Sequence, residues 1–419
     1  MPDSETKAPA PDMLPDQPVP GRSELVVMVA GLMALNALAI DIMLPALNEI
    51  AHAVGLTAEG IESDNRQQLI IFSYILGFGA PQILWGPITD RFGRRGPLFV
   101  SLIGYIIMAA LCITLRELHA LLAARFVQGV FSSGARLVAV SIVRDLFAGR
   151  QMARFMSLVM TIFMIIPIIA PAVGQAILLV APWEWIFGAL VVFGLGMLGW
   201  TWARLPETLP AESRRPLNLG NALGAYAQVI RTPVTFGYMC ASGIVFGALF
   251  SFIASSEQIF REVFGRGEDF VLWFSGIAGM LAVANFTNSR LVEKIGMRRI
   301  SHTALFLFTS LSALSAVITY FVGESLLWFY PLFMLTFACF GLLGSNFSAL
   351  AMEPLGSIAG TASAAYGFAT TTVSSLIGML IGSQYNGTTV PLMLGFVGLG
   401  LSSLVIILIT EKGRLFSSR

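Results

Sequence analysis

Gly86-Pro87-Ile88-Thr89-Asp90-Arg91-Phe92-Gly93-Arg94-Arg95 lies between two long apolar runs, 68–89 and 97–115, as a tight turn carrying one acid and three arginines. A fainter copy follows 203 positions later, where Glu293, Lys294 and Gly296 stand in for Asp90, Arg91 and Gly93, ahead of Arg298. Two charged turns of one pattern, each set between apolar runs, point to an internal duplication inside a membrane.

Composition agrees. The 419 residues are 56% hydrophobic and only 12% charged, against about 25% charged in soluble domains. Runs of roughly 20 apolar residues match a hydrocarbon core about 30 Å thick. Twelve are legible, near 25–47, 68–89, 97–115, 119–143, 154–180, 185–203, 234–256, 270–291, 300–321, 326–351, 360–383 and 389–410. The expected fold is an all-α membrane protein of twelve transmembrane helices in two six-helix halves. The halves are 25–203 and 234–410, joined by a cytoplasmic linker at 204–233. Residues 1–24 and 411–419 are expected to be cytoplasmic tails, the first disordered, with six prolines and four acids in residues 1–22. A basic leader with a cleavage site is missing there, which argues against a signal peptide.

The net charge of +1 is uninformative, but its distribution is not. Nineteen of the 25 Lys and Arg residues fall on the tails and the even-numbered loops. Four (Arg66, Arg116, Arg261 and Arg266) fall on the other side, and Arg125 and Arg136 lie inside span 4. The positive-inside rule then places both termini in the cytoplasm. No basic cluster exceeds a short loop, so nucleic acid is not an expected partner. Cys112, Cys240 and Cys339 all sit within spans, and the three histidines are scattered, so neither a metal nor any other cofactor is expected.

Charges within the membrane mark function by default. Asp41 is the one carboxylate placed well inside a span, four residues before Pro45, which cannot donate to its carbonyl. Asp41 and Arg125 each lie about six residues from the external end of their spans and share a depth, so Arg125 is the expected partner. The pair reads either as a static ion pair or as a proton-and-substrate site. Arg125, Gln128, Ser132 and Arg136 follow at i, i+3, i+7 and i+11, a polar stripe about 16 Å long on one helix face. Arg136 either lines the path or braces carbonyls at the inner end. Phe250 and Tyr366 are candidates for an apolar cavity wall. Asn36, Gln82, Asn285, Asn288, Asn346 and Gln384 either line the cavity or bridge helices.

On these residues the chain resembles the major facilitator superfamily of transporters over nearly its whole length. Gly86, Asp90, Arg91, Gly93, Arg94 and Arg95 match that superfamily's motif between spans 2 and 3. Arg125-x-x-Gln128-Gly129 resembles the span 4 motif linked to proton coupling, and Pro206-Glu207-Thr208 resembles the element after span 6. Three further stretches resemble the Bcr/CflA drug-resistance subfamily: Asp41 to Leu47, Ser141 to Phe147 with Arg136 upstream, and Ala351 to Ser363. In span 5 the antiporter motif is reduced to Pro171 and Gly174, with Ile166, Ala170 and Gln175 in place of glycines.

The resemblance implies a monomeric, multi-pass protein of the bacterial inner membrane that exports amphipathic drugs or metabolites in exchange for protons. The alternative is a proton-coupled carrier of one specific metabolite. Asp41 and Arg125 would handle the proton, with Gln128, Arg136, Phe250 and Tyr366 lining the cavity. Gly86, Asp90, Arg91, Gly93, Arg94, Arg95, Arg144, Asp145 and Glu207 would form a cytoplasmic gate, in which Asp90 also suits a helix N-terminus. Pro171 and Gly174 would pack helices. No nucleophile or metal cluster within the spans supports an enzyme, and substrate-stimulated proton flux would separate transport from reception.

Overall fold

The computed structural model describes residues 20–56, 65–147, 149–214 and 219–416. Most of the expected N-terminal tail and the end of the C-terminal one lie outside them. Among the described residues the chain is helical without strands. Eleven helices are long and apolar enough to cross a membrane, or twelve if the bent pair Asn65–Gly79 and Gln82–Phe92 is one span. In order they are Arg22–Ala53, that bent pair, Arg95–Thr114, Leu118–Leu146, Arg154–Leu178 and Glu184–Arg204 in the first half. Pro233–Val263, Phe270–Ile295, Met297–Val322, Leu326–Leu355, Thr361–Gly382 and Val390–Thr410 form the second. They are called spans 1 to 12 below.

Proline positions explain where the rods break. Span 1 leaves the α-helix after Asp41 and resumes at Leu47, with a short 3₁₀ turn at Leu44–Ala46 that contains Pro45. Span 2 bends by 43° at Ala80-Pro81, where Pro81 cannot donate to the carbonyl four residues back. Pro87 repeats the defect six residues later and frees the carbonyl of Ile83. The hydroxyl of Tyr226 donates to that carbonyl at 3.2 Å. Tyr226 belongs to a helix, Leu219–Arg231, inside the connection between the halves.

Glycines set the close approaches. A Cβ on Gly77 would strike the Phe126 carbonyl, and one on Gly129 the Tyr74 carbonyl, so spans 2 and 4 pack backbone to backbone. Gly174 likewise abuts the Ile42 carbonyl, which seats span 5 on the break in span 1. Within the first half, span 4 packs on spans 2 and 3; within the second, span 7 packs on spans 11 and 12. The halves meet along spans 2 and 11 and along spans 5 and 8. Arg204 pairs with Glu24 and Arg298 with Glu411, so both chain ends share one face, called the basic face here.

Candidate functional site: buried charges and two ion clusters

Arg125 is completely buried in span 4. Its guanidinium donates to Gln128 Oε1 at 2.7 Å, to the Ala39 carbonyl at 2.9 Å and to the Ile70 carbonyl at 3.5 Å. It also lies 4.3 Å over the Tyr74 ring. Backbone dipoles, one amide and a π-face thus solvate this cation. The expected pairing with Asp41 is not formed. Asp41 lies two residues beyond the carbonyl that Arg125 uses, buried at the break in span 1, and its carboxylate has no hydrogen-bonding or ionic partner among the described residues. Shared depth placed the two groups at one height; it says nothing of which way each turns around its helix axis.

The stripe on span 4 is buried at Gln128 and Ser132 and half-buried at Arg136. Arg136 braces no carbonyl among the described residues. Its guanidinium stands 5.5 Å over Phe78, just before the bend of span 2, with no hydrogen-bonding or ionic partner among the described residues. Phe250 and Tyr366 are not brought together. Tyr366 bonds Ser242 at 2.8 Å, whereas Phe250 lies eight residues further along span 7, about 12 Å away along the axis. Among the amides, Asn346 donates to Asn288 at 2.8 Å and bridges spans 10 and 8.

At the basic face of the first half the hub is Arg94. It is buried, and it binds Asp145 through two donors at 2.7 and 3.1 Å and Asp90 at 2.8 Å. Burial opposes its charge, yet the two carboxylates hold its pKa above the ordinary value. Glu207 accepts from the backbone N–H groups of Arg94 and Arg95 at 2.8 and 3.2 Å, so Glu207, not Asp90, caps the N-terminus of span 3. Gly93 makes this possible with φ of 85°, and a side chain there would meet the Glu207 carboxylate. Arg95 donates to the Trp202 carbonyl at 2.7 Å. Arg91 and Arg144, expected beside the acids, are exposed. Nothing in the structure explains glycine at position 86.

The fainter copy proves to be a structural counterpart. Arg298 donates to Glu411 at 2.9 Å and pairs with Glu353 at 3.5 Å. Glu411 also accepts from the Tyr238 hydroxyl at 2.7 Å. Burial pushes the Glu411 carboxyl up, but Tyr238 and Arg298 outweigh it and hold the group below 4.5. His302 completes the set. Its Nδ1 accepts from the Phe416 backbone N–H at 3.1 Å, so the ring proton resides on Nε2, which donates to the Tyr238 oxygen at 3.0 Å. Sequence reading missed this cluster. A shift of one residue reveals it, because Arg298 follows Arg94 and Glu411 follows Glu207 by the same 204 positions.

Also unforeseen are the contacts between halves at the face opposite the basic one. Asn65 donates to the carbonyls of Ser383 and Tyr385 at 3.1 and 2.9 Å. Gln68 donates to Gln258 at 2.9 Å, Ser255 at 3.2 Å and the Gly382 carbonyl at 3.3 Å. Toward the basic face, Gln82 reaches Thr371 at 3.4 Å. The halves therefore touch at both ends.

A family model described as Major Facilitator Superfamily matches residues 29–383. The chain belongs to that superfamily. It is a transporter and not an enzyme. Among curated relatives, a bicyclomycin resistance protein homolog of Haemophilus influenzae is 29% identical over 377 residues, 88% of this chain and 92% of that one. The multidrug resistance protein MdtL of Escherichia coli is 28% identical over 401 residues, 94% of this chain and 97% of its own. Both bear out the Bcr/CflA resemblance. Among solved structures, the xylose transporter XylE from E. coli covers 93% of this chain with a TM-score of 0.69 at 14% identity, a likeness of fold alone.

Proposed function

We propose that this superfamily member exports amphipathic drugs or small metabolites from the cytoplasm in exchange for protons, as a monomer in a bacterial inner membrane. The basic face is the cytoplasmic one, in keeping with the nineteen Lys and Arg residues on that side. The six-helix units at 25–203 and 234–410 rock about the buried charges, and the two sets of contacts between halves open in turn. The ion clusters around Arg94 and Arg298 act as cytoplasmic gate elements. Pro171 and Gly174 hold span 5 against the break in span 1.

The observation that carries this reading is the Asp41 carboxylate, buried at a helix break and without a partner among the described residues. An unpaired buried carboxylate is costly to hold ionised, so its charge state follows whether the halves admit water. Arg125 fixes the local field from its own carbonyl cage and does not trap Asp41 in a permanent ion pair. One proton crossing about 100 mV supplies about 2.3 kcal/mol, enough for roughly a forty- to fifty-fold gradient. In sealed vesicles, wild type should show substrate-stimulated proton flux, and Asp41→Asn should abolish it while the protein stays folded. Uphill export by Asp41→Asn would end the proposal.

A further inference from the structure

Three charges lie deep in the first half, and the structure treats them differently. Arg125 is held by two carbonyls and Gln128. Asp41 and Arg136 have opposite sign, and neither has a hydrogen-bonding or ionic partner among the described residues. They are not at one height. Asp41 is 19 residues from Arg22, the basic end of span 1, and Arg136 is ten residues from Leu146, the basic end of span 4. At 1.5 Å per residue that is roughly 28 Å against 15 Å, a separation of about 13 Å along the membrane normal. At depths between the two are polar atoms with no partner among the described residues: Gln128 Nε2, on the stripe shared with Arg136, and Asn36 Oδ1, on span 1 below Asp41. Phe78 offers an aromatic face beside Arg136.

Isolated charges and orphaned polar atoms in a low-dielectric interior are expensive, and a ligand that meets them recovers that cost. We propose that the preferred substrate is amphoteric: an elongated aromatic body with a protonated amine at one end and a carboxylate at the other. The amine pairs with Asp41 and the carboxylate with Arg136, while Gln128 and Asn36 meet polar groups between. This deepens the reading above and rests on it, because the amine and the coupled proton then compete for one carboxylate. Loading the amine requires Asp41 to release its proton, and unloading it outside frees Asp41 to take another.

The test is equilibrium binding to the full-length protein in nanodiscs without a proton gradient. The probes are 4-(piperazin-1-yl)benzoic acid, its methyl ester and its N-acetyl derivative. Wild type should bind the acid on the order of tenfold to a hundredfold more tightly than either derivative, the factor a charge-assisted hydrogen bond carries. Arg136→Gln should erase the preference for acid over ester by weakening binding of the acid, and Arg136→Lys should restore part of it. Equal wild-type affinity for acid and ester, no binding of any of the three, or an undiminished preference in Arg136→Gln overturns the proposal. Should Arg136→Gln fail to fold, the wild-type series and Arg136→Lys decide. Failure here is separable from failure of proton coupling, since uphill export by Asp41→Asn sinks the latter whatever the binding series shows.

Discussion

The two basic-face clusters occupy equivalent places in the two halves and are built differently. In the first half a single buried arginine, Arg94, is gripped by two carboxylates, while Glu207 spends its charge on two backbone N–H groups. In the second half Arg298 is partly exposed, and its acid Glu411 is shared with Tyr238, behind which stands a neutral histidine tied to the backbone of Phe416. One cluster is an electrostatic knot tied around a buried arginine. The other is a hydrogen-bonded chain that contains groups able to change protonation. Duplication preserved the placement of an arginine against acids and let the chemistry around it diverge.

That contrast predicts an unequal response to the same insult. Arg94→Met should cost about 3–5 kcal/mol, because it leaves Asp145 enclosed without its counter-ion. Arg298→Met should cost no more than about half that, since Glu411 keeps the Tyr238 hydroxyl at 2.7 Å and Glu353 is exposed. Thermal unfolding in detergent compares them, and equal losses would erase the distinction.

The glycines before the two arginines sharpen it. Gly93 and Gly296 have φ of 85° and 90°, so alanine strains both by about 1–2 kcal/mol. Only at Gly93 would the new Cβ also displace a carboxylate, that of Glu207. Gly93→Ala should therefore lose a further 0.3–1 kcal/mol or so of helix-terminus stabilisation. An identical drop in melting temperature for the two variants would show that the Glu207 cap contributes nothing.

Smaller effects concern the second cluster alone. Tyr238→Phe should cost about 1 kcal/mol or slightly more by removing a hydrogen bond to a charged acceptor. The depressed pKa of Glu411 means that its contribution is present above 4.5 and is lost as the pH falls through its folded value. The stability difference between wild type and Glu411→Gln should accordingly be flat from neutrality to about pH 4.5 and shrink below it. A difference that closes already at pH 6 would assign the effect to another group.

Smallest of all is the release of the segment at Phe416. Its N–H needs an unprotonated His302 Nδ1, beside Tyr238, Glu411 and the two arginines Arg298 and Arg299. Amide exchange at Phe416, normalised to its intrinsic rate, should quicken once acid protonates Nδ1 and removes the acceptor, and His302→Gln should remove that dependence.

The spans were legible because a hydrocarbon core imposes a length that composition reveals directly. Their ends fall within a few residues of the apolar runs except at span 1, which runs on to Ala53, and span 7, which continues to Val263 through a π-helical turn. The breaks were legible wherever proline removes a donor. What escaped depends on rotation about helix axes and on tertiary neighbours. Depth placed Asp41 level with Arg125, but the carbonyl of Ala39 took the guanidinium. Among three arginines of one turn, the reversal at Gly93 decided that Arg94 faces inward and Arg91 outward. Asn65 and Gln68 gave no periodic signal, since their partners are carbonyls and amides on the other half, some 190 to 320 residues away.

The proline at position 87 has one more consequence. By stripping Ile83 of its helical donor it creates a socket on the first half that a tyrosine from the connecting helix fills. A chain cut ahead of Leu219 would leave that plug on the second fragment, and a cut after Arg231 would leave it on the first. Two fragments expressed separately should reassemble better in the former case, held in register by a connection that no longer needs to be covalent.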